Sequence, residues 1–96
     1  MNQSVDNLRE MLLAVTRSLV DHPDYIRINP VYENETVIFW VYAHPKDTGQ
    51  LIGINGRMAR ALRFILQANA ATLKLRLVLN ISSAGADELE NSSAAD

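Results

Sequence analysis

Residues 49–63 have the sequence GQLIGINGRMARALR, and this stretch indicates what kind of domain the chain forms. Its last two glycines, Gly53 and Gly56, enclose a short turn between two predicted helices. Glycine adopts backbone angles that other residues avoid, and it leaves the main chain open to an approaching molecule. The turn leads into the start of a helix, where backbone N–H groups and the helix dipole attract anions. We therefore predict an anion-binding corner; the alternative is a structural turn beside a solvated basic surface.

Three arginines follow the turn at intervals of three residues: Arg57, Arg60 and Arg63. The segment 49–81 contains five cations and no acid, whereas the parts of the chain before and after it have net charges of -3 and -4. A cation in the first turn of a helix opposes the helix dipole, at a cost of up to about 1 kcal/mol. A bound polyanion would remove that cost. The segment therefore predicts a local nucleic-acid surface on a chain whose overall net charge is -2.

Hydrophobic periodicity predicts the other elements around this corner. Apolar residues at spacings of three and four form one helical stripe, with Ser4 as its cap, and alternation at 73–81 predicts a half-buried strand. The predicted elements are, in order, a helix from about 4 to 20, strands at 25–32 and 36–43, a short helix from Pro45 to Ile52, a helix from Arg57 to Ala70 or Ala71, and a strand at 73–81. This order indicates an α+β domain with helices on one face of a three-stranded sheet.

Length and composition exclude several classes of protein. A chain of 96 residues fits one small domain. It contains no cysteine, which excludes disulfides, thiol nucleophiles and cysteine-ligated metal sites. The longest apolar run, at 37–43, is far shorter than the ~20 residues that a membrane helix needs. The first residues are polar and show no secretory signal, so we expect a cytoplasmic protein.

Residues 82–96 differ in composition from the rest of the chain, being rich in Ser, Ala, Asp, Glu and Asn. We predict that they form a disordered acidic tail, because they contain too few large apolar residues to fold. The tail either keeps the protein soluble or competes with a polyanion for the arginines that follow the turn.

Five polar residues could be combined on paper into a metal or acid–base site: Asp21, His22, Asp24, His44 and Asp47. Two histidines without a third strong ligand make a poor metal site, and helix capping and turn formation explain these residues more simply. No Ser-His-Asp arrangement stands out either. We expect no metal, no cofactor and no enzymatic activity.

The second predicted strand is apolar on both faces. Ile38, Trp40 and Tyr42 share one face, opposite the face formed by the residues between them. Core packing is the simpler interpretation. The alternative is a partner interface on a sheet face without helices.

The glycine turn and its surroundings resemble the signature of a known family. The segment 49–63 is similar to the I-G-x-x-G motif of KH domains, and more narrowly to that of the small single-KH bacterial RNA-binding proteins of the KhpA family. The resemblance extends upstream to residues 18–24 and to the strand before Pro45, and it spans about residues 8–81. It implies a type II KH fold at 1–81, in agreement with the predicted order of elements.

The resemblance implies single-stranded RNA binding without catalysis. In KH domains the glycine loop holds the backbone of about four nucleotides, whose bases lie in a groove. The implied RNA-binding residues are Gly49, Gly53, Ile54, Asn55, Gly56, Arg57, Arg60 and Arg63. Ile54 and Asn55 stand where the family usually has a lysine or arginine, and Gln50 stands where a lysine is common. We therefore expect weak, sequence-tolerant binding, micromolar or worse, with a slope of log affinity against log salt of roughly -2 for about three phosphates.

The resemblance also implies partners and a cellular role. It implies a homodimer, or a heterodimer with a larger KH-containing protein, in post-transcriptional regulation of the RNA-chaperone kind. The alternative hypothesis is a protein-interaction scaffold in which RNA binding is vestigial. The non-basic turn favours that alternative, and the arginines after the turn favour RNA.

Overall fold

The computed structural model of the chain describes residues 3–83, and it confirms the predicted order of helices and strands. The elements are α1 (Gln3–Leu19), β1 (Arg27–Glu33), β2 (Thr36–Ala43), α2 (Thr48–Ile52), α3 (Arg57–Leu73) and β3 (Arg76–Ser83). Two single-turn 3₁₀ helices, Pro23–Tyr25 and Ile54–Gly56, precede β1 and α3.

β2 is the central strand of the sheet, whose order is β1-β2-β3. β1 runs antiparallel to β2, with Ile28 opposite Val41, and β3 runs parallel to β2, with Leu77 opposite Val37. Parallel neighbours need a crossover connection. Here α2 and α3 form that crossover, and both helices contact β3.

The helices cover one face of the sheet and leave the other open. Along β2 the residues Val37, Phe39 and Val41 are at most 1% exposed, while the alternate residues are half-buried. Every α-helix and every strand contributes to the core, whose buried members are Val5, Leu8, Leu12, Ile26, Ile28, Val37, Phe39, Val41, Ala43, Leu51, Leu62, Leu66, Leu77 and Leu79. The α+β fold with helices on one sheet face is as predicted.

The boundary between α3 and β3 differs from the prediction. Leu73 was expected to begin the strand, but it is the last residue of α3. Lys74 then ends the helix in the left-handed conformation, with φ of 58°, and its N–H donates to Ala70 and Ala71 carbonyls. The sequence is ambiguous here, because Leu73 lies seven residues after Leu66 and so continues the helical stripe as well as the strand alternation.

Smaller differences occur at other ends. The strand expected from 25 begins at Arg27, because the preceding residues form a 3₁₀ turn, and α2 begins at Thr48 rather than Pro45. Ser4 lies within α1 rather than capping it. β3 continues through Ser83, two residues into the predicted tail. Residues 84–96 lie outside the described residues, so the acidic tail stays a prediction.

Candidate nucleic-acid interface

The turn between α2 and α3 uses backbone angles that require glycine. Gly53 has φ of 79° and ψ of 168°, a region open essentially to glycine alone. A Cβ on Gly53 would lie 2.7 Å from the Met58 nitrogen and 2.9 Å from Met58 Cβ. Gly56 and Asn55 are left-handed, with φ of 75° and 57°. Gly53 is therefore required both by its conformation and by its contact with the first turn of α3.

Several N–H groups of the turn are used within it. Gly53 donates to the Gly49 carbonyl at 2.8 Å, Gly56 donates to the Gly53 carbonyl at 3.0 Å, and Arg57 donates to the Ile54 carbonyl. These three N–H groups are therefore not free to bind an anion. Attraction of an anion then depends chiefly on the arginines.

The two middle residues of the turn project into solvent. Ile54 is 80% exposed, and Asn55 is exposed beside it. Gly49 is also exposed and has open space around it, with no atom within 4 Å of a Cβ built there. The Gly49 carbonyl accepts the hydrogen bond from the Gly53 N–H at the end of α2. Gly49 is therefore a residue of α2 near the turn.

The three predicted arginines of α3 do not share one environment. Arg57 and Arg60 are exposed, and a Cβ built on Gly56 would lie 3.2 Å from Arg60 Nη1, which places that guanidinium beside the turn. Arg63 instead donates through Nε and Nη2 to the Leu79 carbonyl, at 3.3 and 3.2 Å. The structure therefore brings Arg57 and Arg60 to the turn and directs Arg63 to β3.

Gln67 joins Arg63 at β3, although it is not among the predicted site residues. Its Nε2 donates to the Leu77 carbonyl at 2.9 Å. Arg63 and Gln67 thus bridge α3 to the far edge of β3, which has no neighbouring strand within the described chain. Their spacing of four places them on one side of α3, but only the tertiary structure shows what that side contacts.

Phe64 is a second residue that the sequence analysis did not consider. Phe64 is 75% exposed, although phenylalanine is usually buried. It follows Arg60 by four residues and Arg57 by seven, so all three lie on one helix face. That spacing is visible in the sequence and would have been enough to find it.

A side-chain cluster fixes the other end of α2. The Asp47 side chain, 1% exposed, accepts a hydrogen bond from the His22 backbone N–H at 2.8 Å and lies 3.0 Å from His22 Nδ1. The His22 ring stacks on His44 with centroids 4.1 Å apart, and Tyr25 packs edge-on against His44. The structure therefore joins three of the five residues considered for a metal site, His22, His44 and Asp47, into a contact between the start of α2 and the α1–β1 connection.

The Asp47 carboxyl remains ionised despite its burial. Burial by itself raises the pKa of this carboxyl. Hydrogen bonds from the His22 backbone N–H and ring, attraction to His22 and a hydrogen bond from the Asp21 backbone outweigh that effect, so the pKa of Asp47 lies below its ordinary value of 3.8. A negative charge at neutral pH thus holds this contact together.

Residues 3–83 contain no group of three or more His, Cys, Asp or Glu side chains placed to hold a metal ion. None of the helices in this part of the chain has the length and apolar character to cross a membrane.

Comparisons with known proteins identify the family of this chain. The family model described as "KhpA/KhpB, KH domain" matches residues 9–81. The chain is 35% identical to the "RNA-binding protein KhpA" of Oceanobacillus iheyensis over 74 residues, which cover 77% of this chain and 99% of that protein.

Two further relatives have the same description. The protein of Caldanaerobacter subterraneus subsp. tengcongensis is 32% identical over 72 residues, covering 75% of this chain and 96% of the relative. The protein of Aquifex aeolicus is 35% identical over 74 residues, covering 77% and 94%. The matched region contains the whole crossover, including the glycine turn. The chain therefore belongs to the KhpA/KhpB family of KH-domain proteins, a family of RNA-binding proteins and not of enzymes.

Proposed function

We propose that this chain binds single-stranded RNA at the turn 53–56 and at the arginines beside it. The observation that supports this most is the combination of an exposed turn with unpaired cations. The ion pairs within residues 3–83 join Arg9 to Glu10 and His22 to Asp47, so in this part of the chain no carboxylate neutralises the arginines of α3.

The path of the RNA follows from the positions of these groups. The sugar–phosphate backbone lies on the turn, where Gly56 has no Cβ to obstruct it, and Arg57 and Arg60 contact its phosphates. The bases extend toward the far edge of β3, where Arg63 and Gln67 lie. About four nucleotides fit such a KH site.

The affinity of a single chain is low in this proposal. Ile54 and Asn55 add no charge to the turn, and three of its N–H groups are used internally. With two phosphates contacted, by Arg57 and Arg60, the slope of log affinity against log salt is roughly -1.4. The RNA is recognised mainly through its backbone, so binding tolerates changes of sequence.

The test places negative charge on the turn without disturbing the glycines. The variant carries Ile54→Asp and Asn55→Asp; the first site is exposed, and aspartate tolerates the left-handed conformation of the second. Ile54→Asn is the matched control: together with the native Asn55 it places two asparagines on the turn, which have nearly the shape of two aspartates but no charge. Each like charge near a phosphate costs on the order of 1 kcal/mol at about 4 Å in water, so we expect the two charges to weaken binding of a labelled RNA octamer about thirtyfold.

Fluorescence anisotropy measures the affinities, and thermal unfolding confirms that each variant is folded. Equal affinity of the acidic variant and the control would contradict binding at the turn. Gly53→Asp is a poor test, because the clash with Met58 would damage the fold as well as the surface.

We further propose that the open face of the sheet is a partner interface. Ile38, Trp40 and Tyr42 are half-buried there, and the rings of Trp40 and Tyr42 stack with centroids 6.3 Å apart. Val31 and Val78 flank Ile38 on the neighbouring strands, which makes the patch continuous. An apolar centre with aromatic residues is typical of protein interfaces. The partner is a second copy or a larger KH-containing protein.

Light scattering at high micromolar concentration tests the homodimer. We expect a dimer for the native chain and a monomer for Trp40→Thr. Tyr32→Thr is the control, because Tyr32 is exposed but points to the other face of the sheet from Val31 and the apolar patch. A monomeric native chain, or a Trp40→Thr variant that still dimerises, would refute self-association through this face. Both proposals place the protein in post-transcriptional regulation in the cytoplasm.

A further inference from the structure

Two apolar side chains are far more exposed than any other large one within residues 3–83. Ile54 is 80% exposed and Phe64 is 75% exposed, whereas the next, Tyr32, is 48% exposed. Ile54 belongs to the proposed RNA-binding turn. Phe64 lies on α3, about two helical turns or roughly 10 Å along the axis from Arg57.

The surroundings of Phe64 are basic and contain no other large apolar side chain. Arg57 and Arg60 precede it on the same helix face, and Arg60 Nη1 lies beside Gly56. Of the other positions three or four residues from Phe64, Ala61 and Ala68 are small and exposed, and Gln67 donates to the Leu77 carbonyl. Phe64 is therefore an exposed ring four residues beyond the arginine that lies beside the glycine turn.

Charge decides which molecule covers this ring. The sequence of α3 contains three arginines and no acidic residue. A second copy of α3 packed against Phe64 would bring like charges together, which opposes association. Single-stranded RNA has the opposite charge, and its unpaired bases stack on aromatic side chains.

We propose that Phe64 stacks on an RNA base next to the nucleotides held at the turn, so that the binding surface continues over α3. This inference rests on the proposed function. The stacking partner is any unpaired base, because each base has a flat π face. The ring therefore adds affinity for longer single strands without adding sequence preference.

The experiment compares four variants at this exposed position with the native chain: Phe64→Ala, Phe64→Leu, Phe64→Tyr and Phe64→Trp. Anisotropy with a labelled RNA octamer gives affinity and its salt slope. Because loss of one base–aromatic stack costs about 1–3 kcal/mol, we expect alanine and leucine to weaken binding about tenfold, while tyrosine and tryptophan keep it. The salt slope stays that of the native chain, because no charge is removed.

Three results would overturn the stacking role. These are native affinity for Phe64→Ala, native affinity for Phe64→Leu, and a loss of affinity that accompanies conversion from dimer to monomer in light scattering. The last result would show that a second copy covers the ring. If Ile54→Asp with Asn55→Asp loses RNA binding while Phe64→Ala does not, only the stacking role fails; if neither variant loses binding, the proposed function fails.

Discussion

The two ends of α2 are held in different ways. At its start, the buried Asp47 carboxylate accepts hydrogen bonds from His22, and stacked rings surround the contact. At its end, the chain turns through Gly53 and Gly56 with backbone hydrogen bonds alone, and the side chain of Ile54 points into solvent. The start of α2 is joined to the rest of the domain by side-chain contacts, whereas the end of α2 is held by backbone hydrogen bonds.

This difference indicates how a five-residue helix positions a binding loop. A helix this short has little stability of its own. The contact of Asp47 with His22 fixes where α2 starts, and Leu51, fully buried, fixes its rotation against the core. The turn can then remain bare, because its position is determined from the other end.

The largest effect is expected at the glycine end. Gly53→Ala should cost about 3 kcal/mol, because a Cβ forces both a glycine-only conformation and an overlap with Met58. This corresponds to a fall in Tm of roughly 15 °C for a domain of this size. Gly49→Ala is the matched control: open space surrounds it within α2, so alanine should be neutral or stabilise by up to about 1 kcal/mol.

Thermal unfolding followed by circular dichroism measures both variants. Similar Tm values for the two variants would mean that the turn adapts to a side chain and that position 53 does not require glycine.

A smaller effect is expected at the carboxylate end. Because the pKa of Asp47 is lowered in the folded chain, its ionisation stabilises the fold at pH values above the ordinary 3.8, and that stabilisation is lost as the pH falls through the lowered pKa. Asp47→Asn should therefore lower Tm at neutral pH but less so in acid. Tm measured from pH 7 down to 2 checks this, and a constant difference across the range would show that the charge is not the stabilising feature.

The smallest effect concerns the arginines near the turn. Arg60→Gln should leave Tm unchanged and make the salt slope of RNA binding less negative by about 0.7, the value for one phosphate contact on a single strand. Arg63→Gln should lower Tm, because the Leu79 carbonyl loses its donor. Titrations at several salt concentrations distinguish the two. An unchanged slope for Arg60→Gln would remove this residue from the phosphate contacts.

Local patterns explain what the sequence could predict. β2 has its predicted bounds because seven consecutive apolar residues between turn residues leave little ambiguity. The turn at Gly53 was identifiable because its requirement for glycine is a property of a few neighbouring residues. The family resemblance depended on the same short segment.

Contacts between distant residues were not predictable in the same way. Asp47 and His22 are 25 residues apart, and Arg63 and Leu79 are 16 apart. No spacing in the chain indicates that these pairs meet, because each depends on how the crossover packs on the sheet. The hydrogen bonds of Arg63 to the Leu79 carbonyl were therefore not predictable, and its role in RNA binding stays a prediction.

The side-chain hydrogen bonds to β3 also affect how the sheet meets other chains. An unpaired strand edge is a template for aggregation. Here Arg63 and Gln67 occupy carbonyls along the edge of β3, and Pro30 in β1 has no N–H to offer at the opposite side. The most apolar strand, β2, is enclosed between them. The segment best suited to fibril formation is thus kept away from both edges at which a fibril could grow.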